Sequence, residues 1–445
     1  MPTPTPHKKA PKKSVTVPVP GFSHVRSAGS IHEYLLKANG LRVLYHHRPG
    51  TNVVTTNLTY FVGSRDEARA ETGMAHMLEH MLFKPTDADL KAKATVSSAM
   101  RFDQETGCIL NANTWKDRTT YYFSYPSNLF ERAIKIEAER MNGVVLTQAS
   151  LAPERNSVLS EHDMYQGDPH YALYATMLGA AFYAHPYGHP TIGHRGDIER
   201  YTATGLERFY RLYYRPDNAV LMVIGDIDLK TALTVIKKHC AVLKPPPAAI
   251  PRFAITEPKQ EGVRRVSVVR PSSLNILSLG SKQPGFPSEQ ALVLNVLFDV
   301  LTDGHESVLY RALVDSGLAT SVEGSIEPAS EENLAILTIT LAEGVSHQTV
   351  EEKVFDVLRT LDQKTITPLL KKVKAKILTD EQFLRDSSLS IAAELTEYAA
   401  AGDWTIYTQT LDILERITAK RLLQALPTLL NSNTQTIGYF IGTAS

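Results

Sequence analysis

Two histidines and a glutamate within five residues give the sequence its clearest chemical signal. The segment His76-Met77-Leu78-Glu79-His80 places the two histidines four residues apart. On a helix such side chains leave the same face one turn apart, so both imidazoles can reach one zinc ion at about 2.0–2.1 Å. Glu79 is too close to its neighbours to be the obvious third ligand, but its carboxylate can take a proton from a water molecule that attacks a carbonyl. The order H-x-x-E-H inverts the commoner H-E-x-x-H motif.

A catalytic zinc ion also needs a third protein ligand and one open coordination position. Glu154 and Glu161 lie seven residues apart in a predicted helix over 150–165, so both carboxylates face the same way. One of them can bind the metal while the other forms a hydrogen bond with a ligand histidine. The spacing alone leaves open which glutamate has which role.

These side chains need elements that hold them, and the sequence predicts an amphipathic helix over 73–83 for the two histidines. In the first part of the chain the other predicted elements are strands over 41–45, 53–62, 108–113, 119–124 and 219–224, and helices over 129–141, 150–165 and 171–183. In the later part they are strands over 264–270, 274–280, 334–341 and 436–442, and a helix over 288–302. The order of strands and helices thus repeats coarsely.

A run of prolines in the segment 244–253 divides the chain, because consecutive prolines extend the backbone and remove hydrogen-bond donors. We therefore predict an extended tail over 1–29, a metal-binding domain over 30–243, a linker over 244–253 and a second domain over 254–445. Since the elements repeat on both sides of the linker, the sequence predicts an α+β fold with two halves of similar length.

The composition excludes several classes of protein. Of the 445 residues, 43% are hydrophobic and 21% are charged, which is typical of a globular protein rather than of a disordered chain. The 47 basic and 47 acidic residues balance, so no basic excess indicates a nucleic-acid partner. Two cysteines, Cys108 and Cys240, cannot form a thiolate zinc site. No segment approaches the roughly 18 consecutive apolar residues that span a membrane.

The first 20 residues are rich in proline and lysine and contain no apolar central run. A secretory signal peptide requires such a run. The expected location is therefore the cytoplasm, or the periplasm or an organelle if a targeting segment has been removed.

Six ordered blocks between about residues 35 and 230 resemble the pitrilysin/insulinase family of inverted-motif zinc peptidases. The blocks cover residues 63–67, 73–84, 111–121, 154–161, 186–193 and 214–226. The length is similar to that of the short-chain branch that includes mitochondrial processing peptidase, whose members are built as two-chain assemblies. The resemblance implies two homologous α/β sandwich-like halves, each a mainly antiparallel sheet with helices packed on it. It also implies a zinc-dependent endopeptidase that hydrolyses extended peptides.

The resemblance assigns roles to individual positions. His76, His80 and Glu161 match the family's zinc ligands, and Glu79 matches its general base. Glu154 matches the carboxylate that supports a ligand histidine. Asn111 and Ala112 match the edge strand that adds an extended substrate to the sheet through main-chain hydrogen bonds.

The second half departs from the family pattern at two positions. Active members carry an arginine and a tyrosine in a stretch that reads roughly L-R-E-x-G-L-A-Y-S-V and holds the substrate backbone. Here the arginine is replaced by Val314 and the tyrosine by Thr320. The resemblance therefore implies a homologous second chain that supplies both side chains in a shared chamber, as a heterodimer or heterotetramer.

Two other interpretations remain open at this stage. A self-sufficient homodimeric zinc peptidase could hold its substrate with different residues. A non-catalytic scaffold of the same fold would not need the metal ligands, so the intact set at 76, 79, 80 and 161 argues against it.

Overall fold

The computed structural model describes residues 19–252 and 254–444. Its first half is built on a seven-stranded sheet in the order β1-β2-β3-β7-β4-β6-β5, in which only β3 and β7 are parallel neighbours. The strands are β1 (Phe22–Ala28), β2 (Ile31–Leu36), β3 (Arg42–His47), β4 (Val53–Tyr60), β5 (Ile109–Thr114), β6 (Thr119–Pro126) and β7 (Ala219–Gly225).

In the described part of the first half, nine helices pack around this sheet or extend from it. They are α1 (Met74–Met81), α2 (Asp87–Lys91), α3 (Ser98–Thr106), α4 (Phe130–Gly143), α5 (Gln148–Gly167), α6 (Pro169–Ala181), α7 (Arg195–Ile198), α8 (Ala203–Tyr213) and α9 (Leu229–Cys240). The start of α1 is fixed by the buried Glu67, whose carboxylate accepts the backbone N–H groups of Gly73 at 2.7 Å and Ala75 at 2.9 Å. Gly73 has a φ of +87°, which favours glycine.

The second half is built on a five-stranded sheet in the order β10-β11-β9-β12-β8, in which only β12 and β8 are parallel neighbours. The strands are β8 (Arg264–Pro271), β9 (Ile276–Gln283), β10 (Ala319–Ile326), β11 (Asn333–Leu341) and β12 (Gln435–Thr443). The helices are α10 (Glu289–Thr302), α11 (His347–Thr360), α12 (Gln363–Leu384), α13 (Ser388–Ala400), α14 (Thr410–Arg416) and α15 (Ala419–Leu430).

The two halves repeat one strand order. The run β3-β7-β4-β6-β5 of the first sheet has the same connectivity and the same single parallel pair as β8-β12-β9-β11-β10 of the second. The edge strand β5 therefore corresponds to β10, and α1, which lies between β4 and β5, corresponds to α10. This arrangement confirms the predicted fold of two α+β halves, each a mainly antiparallel sheet covered by helices.

Each half packs one of its helices on the sheet of the other half. From α13, Ile391 and Leu395 pack with Val220 and Met222 on the first sheet. In return, α6 places its apolar residues on the second sheet, where Leu173, Met177, Ile276 and Phe440 form one buried cluster. This exchange fixes the two halves against each other, so that a cleft between them has a defined shape.

The structure changes the predicted boundary of the first domain. Residues 1–18 of the predicted tail lie outside the described residues, but 22–28 form β1 and pair with β2 instead of extending as a tail. Most side chains of this edge strand are exposed or half-buried, so its sequence lacks the apolar alternation that identifies a strand. Residues 244–252 of the predicted linker contain no helix or strand. In the described residues no helix is long and apolar enough to cross a bilayer.

A buried ion pair lies between α4 and the first sheet. Arg140 donates to Glu137 at 2.7 Å, and both residues are only 2% exposed. The guanidinium also lies 4.7 Å from the ring centre of Tyr121 and 5.2 Å from that of Phe123. Burial raises the pKa of Glu137, which opposes its ionisation, while the charge of Arg140 favours it. The two charges therefore depend on each other.

We expect Arg140→Leu to destabilise the protein by about 3–5 kcal/mol, because it leaves a buried carboxylate without its partner. Denaturant unfolding of the variant and the wild type measures the difference. The double variant Arg140→Leu, Glu137→Leu is the control and is expected to lose less stability than the single one. Equal unfolding free energies for the wild type and Arg140→Leu would contradict this account of the pair.

Candidate active site

Helix α1 brings His76 and His80 together as the spacing predicted. Its residues Met74, Met77 and Leu78 are buried in the core of the first half, which turns the two histidines toward the opposite side. The two imidazole rings lie 4.8 Å apart between their centres, with an angle of 78° between their planes. A nitrogen atom from each ring can therefore reach the same metal ion.

Glu161 of α5 completes a cluster of three potential ligands. Its Oε2 atom lies 3.7 Å from Nε2 of His76 and 3.7 Å from Nε2 of His80. One ligand atom from each of the three residues lies within 4.8 Å of the others. Ligands at about 2.0–2.1 Å from a tetrahedral zinc ion are separated by about 3.4 Å. The cluster thus fits one zinc ion with little adjustment.

The protonation state of His76 also suits a metal ligand. Burial lowers the pKa of His76 to about 3, with a further contribution from the nearby His80. The ring is therefore neutral at physiological pH, and its nitrogen lone pair is free to bind a cation.

Glu154 lies on the other side of His80. Its Oε2 atom is 3.4 Å from Nδ1 of His80, and its Oε1 atom accepts from the ammonium group of Lys84. The spacing leaves the roles of the two glutamates open, and their contacts differ: Glu161 faces the Nε2 atoms of both histidines, whereas Glu154 contacts only Nδ1 of His80. A carboxylate in that place fixes the orientation of the ring.

Glu79 lies beside the cluster and is held by Thr114, a residue for which the sequence predicts no role. The hydroxyl of Thr114 donates to Oε2 of Glu79 at 2.6 Å. Burial raises the pKa of Glu79; the charge of Glu161 acts in the same direction, while the Thr114 hydrogen bond opposes it. Thr114 is two residues after Ala112 on β5, so the period-two alternation of a strand places both side chains on one face. That alternation could have indicated Thr114 as a residue of the site.

The predicted substrate strand is an edge strand. Within the described residues β5 pairs only with β6, where Asn111 faces Tyr122 and Ala112 faces Tyr121. The backbone N–H of Ala112 donates at 2.8 Å to the side-chain oxygen of its own neighbour Asn111. That donor is therefore directed away from β6, where the carbonyl of an incoming strand can replace the Asn111 oxygen.

Two cavities meet at the ligand cluster and follow β5 in opposite directions, and His76, Glu79 and Glu161 line both. The first, of about 750 Å³, extends past Ala112 and Trp115 into the cleft between the halves. The second, of about 580 Å³, lies toward the other end of β5 and is lined by Phe83, Lys84, Met100, Leu110 and Glu154, among others. Together the two cavities can accept a chain on both sides of the cluster.

The two positions that depart from the family pattern do not line either cavity. Val314 ends a short π-helix over Tyr310–Val314 and packs against the core of the second half. Thr320 is exposed on β10 and donates to the carbonyl of Thr340 at 3.3 Å. Instead, the second half presents Glu323 and Ser325 to the first cavity. No local signal in the sequence indicated these two, because they reach the cavity only through the packing of the halves.

A polar network joins the halves at the rim of the cleft. The carboxylate of Asp117, in the turn after β5, accepts from Arg65 at 2.8 Å and from the hydroxyl of Tyr187 at 2.7 Å. It also accepts the backbone N–H of Ser330 from the second half at 2.8 Å. These bonds hold the loop after β10 against the strand that borders the ligand cluster.

Comparison with known proteins agrees with this arrangement. The family model described as "Insulinase (Peptidase family M16)" matches residues 42–195, which contain His76, His80 and the three glutamates of the site. The model described as "Peptidase M16 inactive domain" matches residues 200–370. The first matched segment contains the ligand cluster, and the second begins with α8, β7 and α9 of the first half and continues into the second half.

Individual relatives cover most of the chain. It is 30% identical over 388 residues to the zinc protease PqqE of Helicobacter pylori, covering 85% of this chain and 86% of that protein. It is 31% identical over 305 residues to an uncharacterized zinc protease of Mycobacterium leprae, covering 68% of this chain and 67% of that protein. The crystal structure of a protease from Helicobacter pylori superimposes with a TM-score of 0.86 at 26% identity, over 93% of this chain and 100% of that one. The chain therefore belongs to the insulinase family of peptidases, family M16.

Proposed function

We propose that this chain is the zinc-binding, catalytic subunit of an endopeptidase that hydrolyses extended peptides. The observation that carries the proposal is the convergence of His76, His80 and Glu161 beside Glu79, next to the open edge of β5. A zinc ion bound there supplies a Lewis acid that polarises the scissile carbonyl.

The chain's own residues account for the proton transfers. Thr114 holds Oε2 of Glu79 and leaves Oε1 free to take a proton from the attacking water. Glu79 then returns the proton to the nitrogen of the leaving amine, as a general base that becomes a general acid. Burial, which raises its pKa, favours the protonated state that this second step requires.

The substrate is positioned by the sheet. An extended peptide adds to β5 as a further strand and replaces Asn111 as the acceptor for the N–H of Ala112. Main-chain pairing accepts many sequences, which suits a peptidase that acts on extended segments. It also aligns one peptide bond with the cluster, and such alignment accounts for much of the rate that enzymes gain.

The proposal includes a second chain. Val314 and Thr320 replace the family's arginine and tyrosine and do not line the cavities. A homologous partner that carries both side chains would complete the site, with each chain contributing one part of the chamber. The two-chain assemblies of the branch that this sequence resembles support this arrangement.

The ligand assignment predicts different effects for the two glutamates of α5. Glu161→Gln removes a proposed ligand, whereas Glu154→Gln removes only a group that orients His80 and is expected to weaken zinc binding by about 10–100-fold. We therefore expect the larger loss of zinc affinity for Glu161→Gln. Competition with a chelator of known affinity measures both, and Glu352→Gln, an exposed change on α11, is the control. If Glu154→Gln loses the metal while Glu161→Gln keeps it, the assignment is reversed.

A further inference from the structure

A stacked pair of tyrosines lines the first cavity beside the proposed metal ligands. Tyr165 follows Glu161 by four residues on α5, so its ring lies one turn from the ligand carboxylate on the same face. Tyr171, near the start of α6, stacks on it with ring centres 4.9 Å apart and planes inclined by 23°. Tyr174 continues the series at 6.1 Å from Tyr171. The turn between the two helices thus places aromatic surface in the cavity.

The hydroxyl of Tyr174, the last ring of this series, is already paired within the protein. The hydroxyl of Tyr174 donates to Glu327 at 2.8 Å, and the same carboxylate binds Lys116 at 2.8 Å. Trp115, which directly follows β5, lines the same cavity and is 42% exposed. Trp115, Tyr165 and Tyr171 therefore form an aromatic wall beside the polar residues that line the rest of the cavity.

We propose that this cavity is a specificity site that binds one aromatic side chain of the peptide substrate against Tyr165 and Tyr171. The inference rests on the proposed peptidase function and names a substrate preference for it. The cavity borders the end of β5 and the residue after it, from Ala112 to Trp115, a distance of about 10 Å at 3.2–3.4 Å per residue. The aromatic residue therefore lies within about three residues of the scissile bond, on the flank that faces the cleft between the halves.

An aromatic side chain fits this cavity better than a charged one. Aromatic rings with centres 4.5–7 Å apart gain about 0.5–1.5 kcal/mol beyond the burial of their area. An acidic side chain is disfavoured because the exposed Glu323 lines the same cavity. A basic side chain is attracted by this carboxylate, so arginine is the competing residue that the test has to include.

Binding to the full-length, zinc-loaded Glu79→Gln variant tests the inference without hydrolysis. The probes are unstructured, fluorescently labelled nine-residue peptides of alanine and serine, with phenylalanine, leucine, arginine or glutamate placed in turn at each position. Fluorescence polarisation gives the dissociation constants. We expect phenylalanine to bind best at one position on one flank, and Tyr171→Ala in the same background to weaken that peptide by about two- to twelvefold. Tyr171→Phe, which keeps the ring, is expected to retain the preference.

The control is Tyr183→Ala, which removes a tyrosine that is 84% exposed and lies outside both cavities. Equal melting temperatures and zinc contents establish that the variants are folded. If Tyr171→Ala does not fold, the peptide series on the Glu79→Gln chain alone still decides, because a preference for arginine over phenylalanine, or no aromatic preference at any position, overturns the inference. A preference that Tyr171→Ala leaves unchanged also overturns it.

The same peptides, incubated with the wild-type chain and its partner, separate this inference from the proposed function. Aromatic binding without hydrolysis contradicts the peptidase proposal alone. Hydrolysis without any aromatic preference contradicts only the specificity site.

Discussion

Replacing Glu79 with glutamine is expected to lower peptide hydrolysis by about 10²–10⁴-fold while zinc remains bound, since the change removes the general base without removing a ligand. Glutamine preserves the shape of the side chain and can still accept the hydrogen bond from Thr114. It cannot take up a proton from water. The measurement is the turnover of an unstructured peptide, with the zinc content of the same sample determined in parallel.

A second substitution serves as the reference for this result. Thr114→Ser keeps the hydroxyl that orients Glu79 and is expected to retain most of the activity. An assembly that contains Glu79→Gln and turns over substrate at the wild-type rate would refute the role of Glu79 as the base.

The isolated chain is expected to hydrolyse peptides about 10²–10³-fold more slowly than the chain combined with a homologous partner that carries the arginine and the tyrosine. That range is the usual effect of removing one donor that stabilises the developing oxyanion. Arginine offers a bidentate hydrogen bond and a positive charge, and Val314 offers neither. Thr320 has a hydroxyl, but it donates to the carbonyl of Thr340.

Assays of the chain alone, and of the chain with candidate partner chains, measure this dependence at equal zinc content. A partner in which the arginine is replaced by alanine is the control and is expected not to restore activity. Full activity of the isolated chain would contradict the proposal and favour the self-sufficient homodimer.

Much of the fold follows from local sequence patterns. The apolar, β-branched strand β7 and the amphipathic helix α1 are each identified by the period of their hydrophobic residues. Most predicted strands and helices of both halves appear within a few residues of their expected ends. The two ligand histidines could also be predicted, because one short segment contains both their spacing of four residues and the pattern of the helix that carries them.

Other features depend on packing between segments that are distant in the sequence. Strand β10 contains threonine, serine, glutamate and glycine with few apolar residues, so its pattern does not identify a strand, although pairing with β11 makes it one. The contribution of Glu323 to the cavity arises only when the halves meet. The exchange of α6 and α13 between the sheets is likewise a tertiary feature. The same reason accounts for the cavity tyrosines, since Tyr165 and Tyr171 become partners only through the turn between α5 and α6.

The most direct test of the central claim is metal analysis of the purified wild-type chain combined with peptide hydrolysis by the chain and its partner. The account predicts about one zinc ion per chain, loss of hydrolysis when a chelator removes it, and recovery when zinc is returned. A chain that binds no zinc, or an assembly whose hydrolysis survives complete removal of the metal, would contradict it.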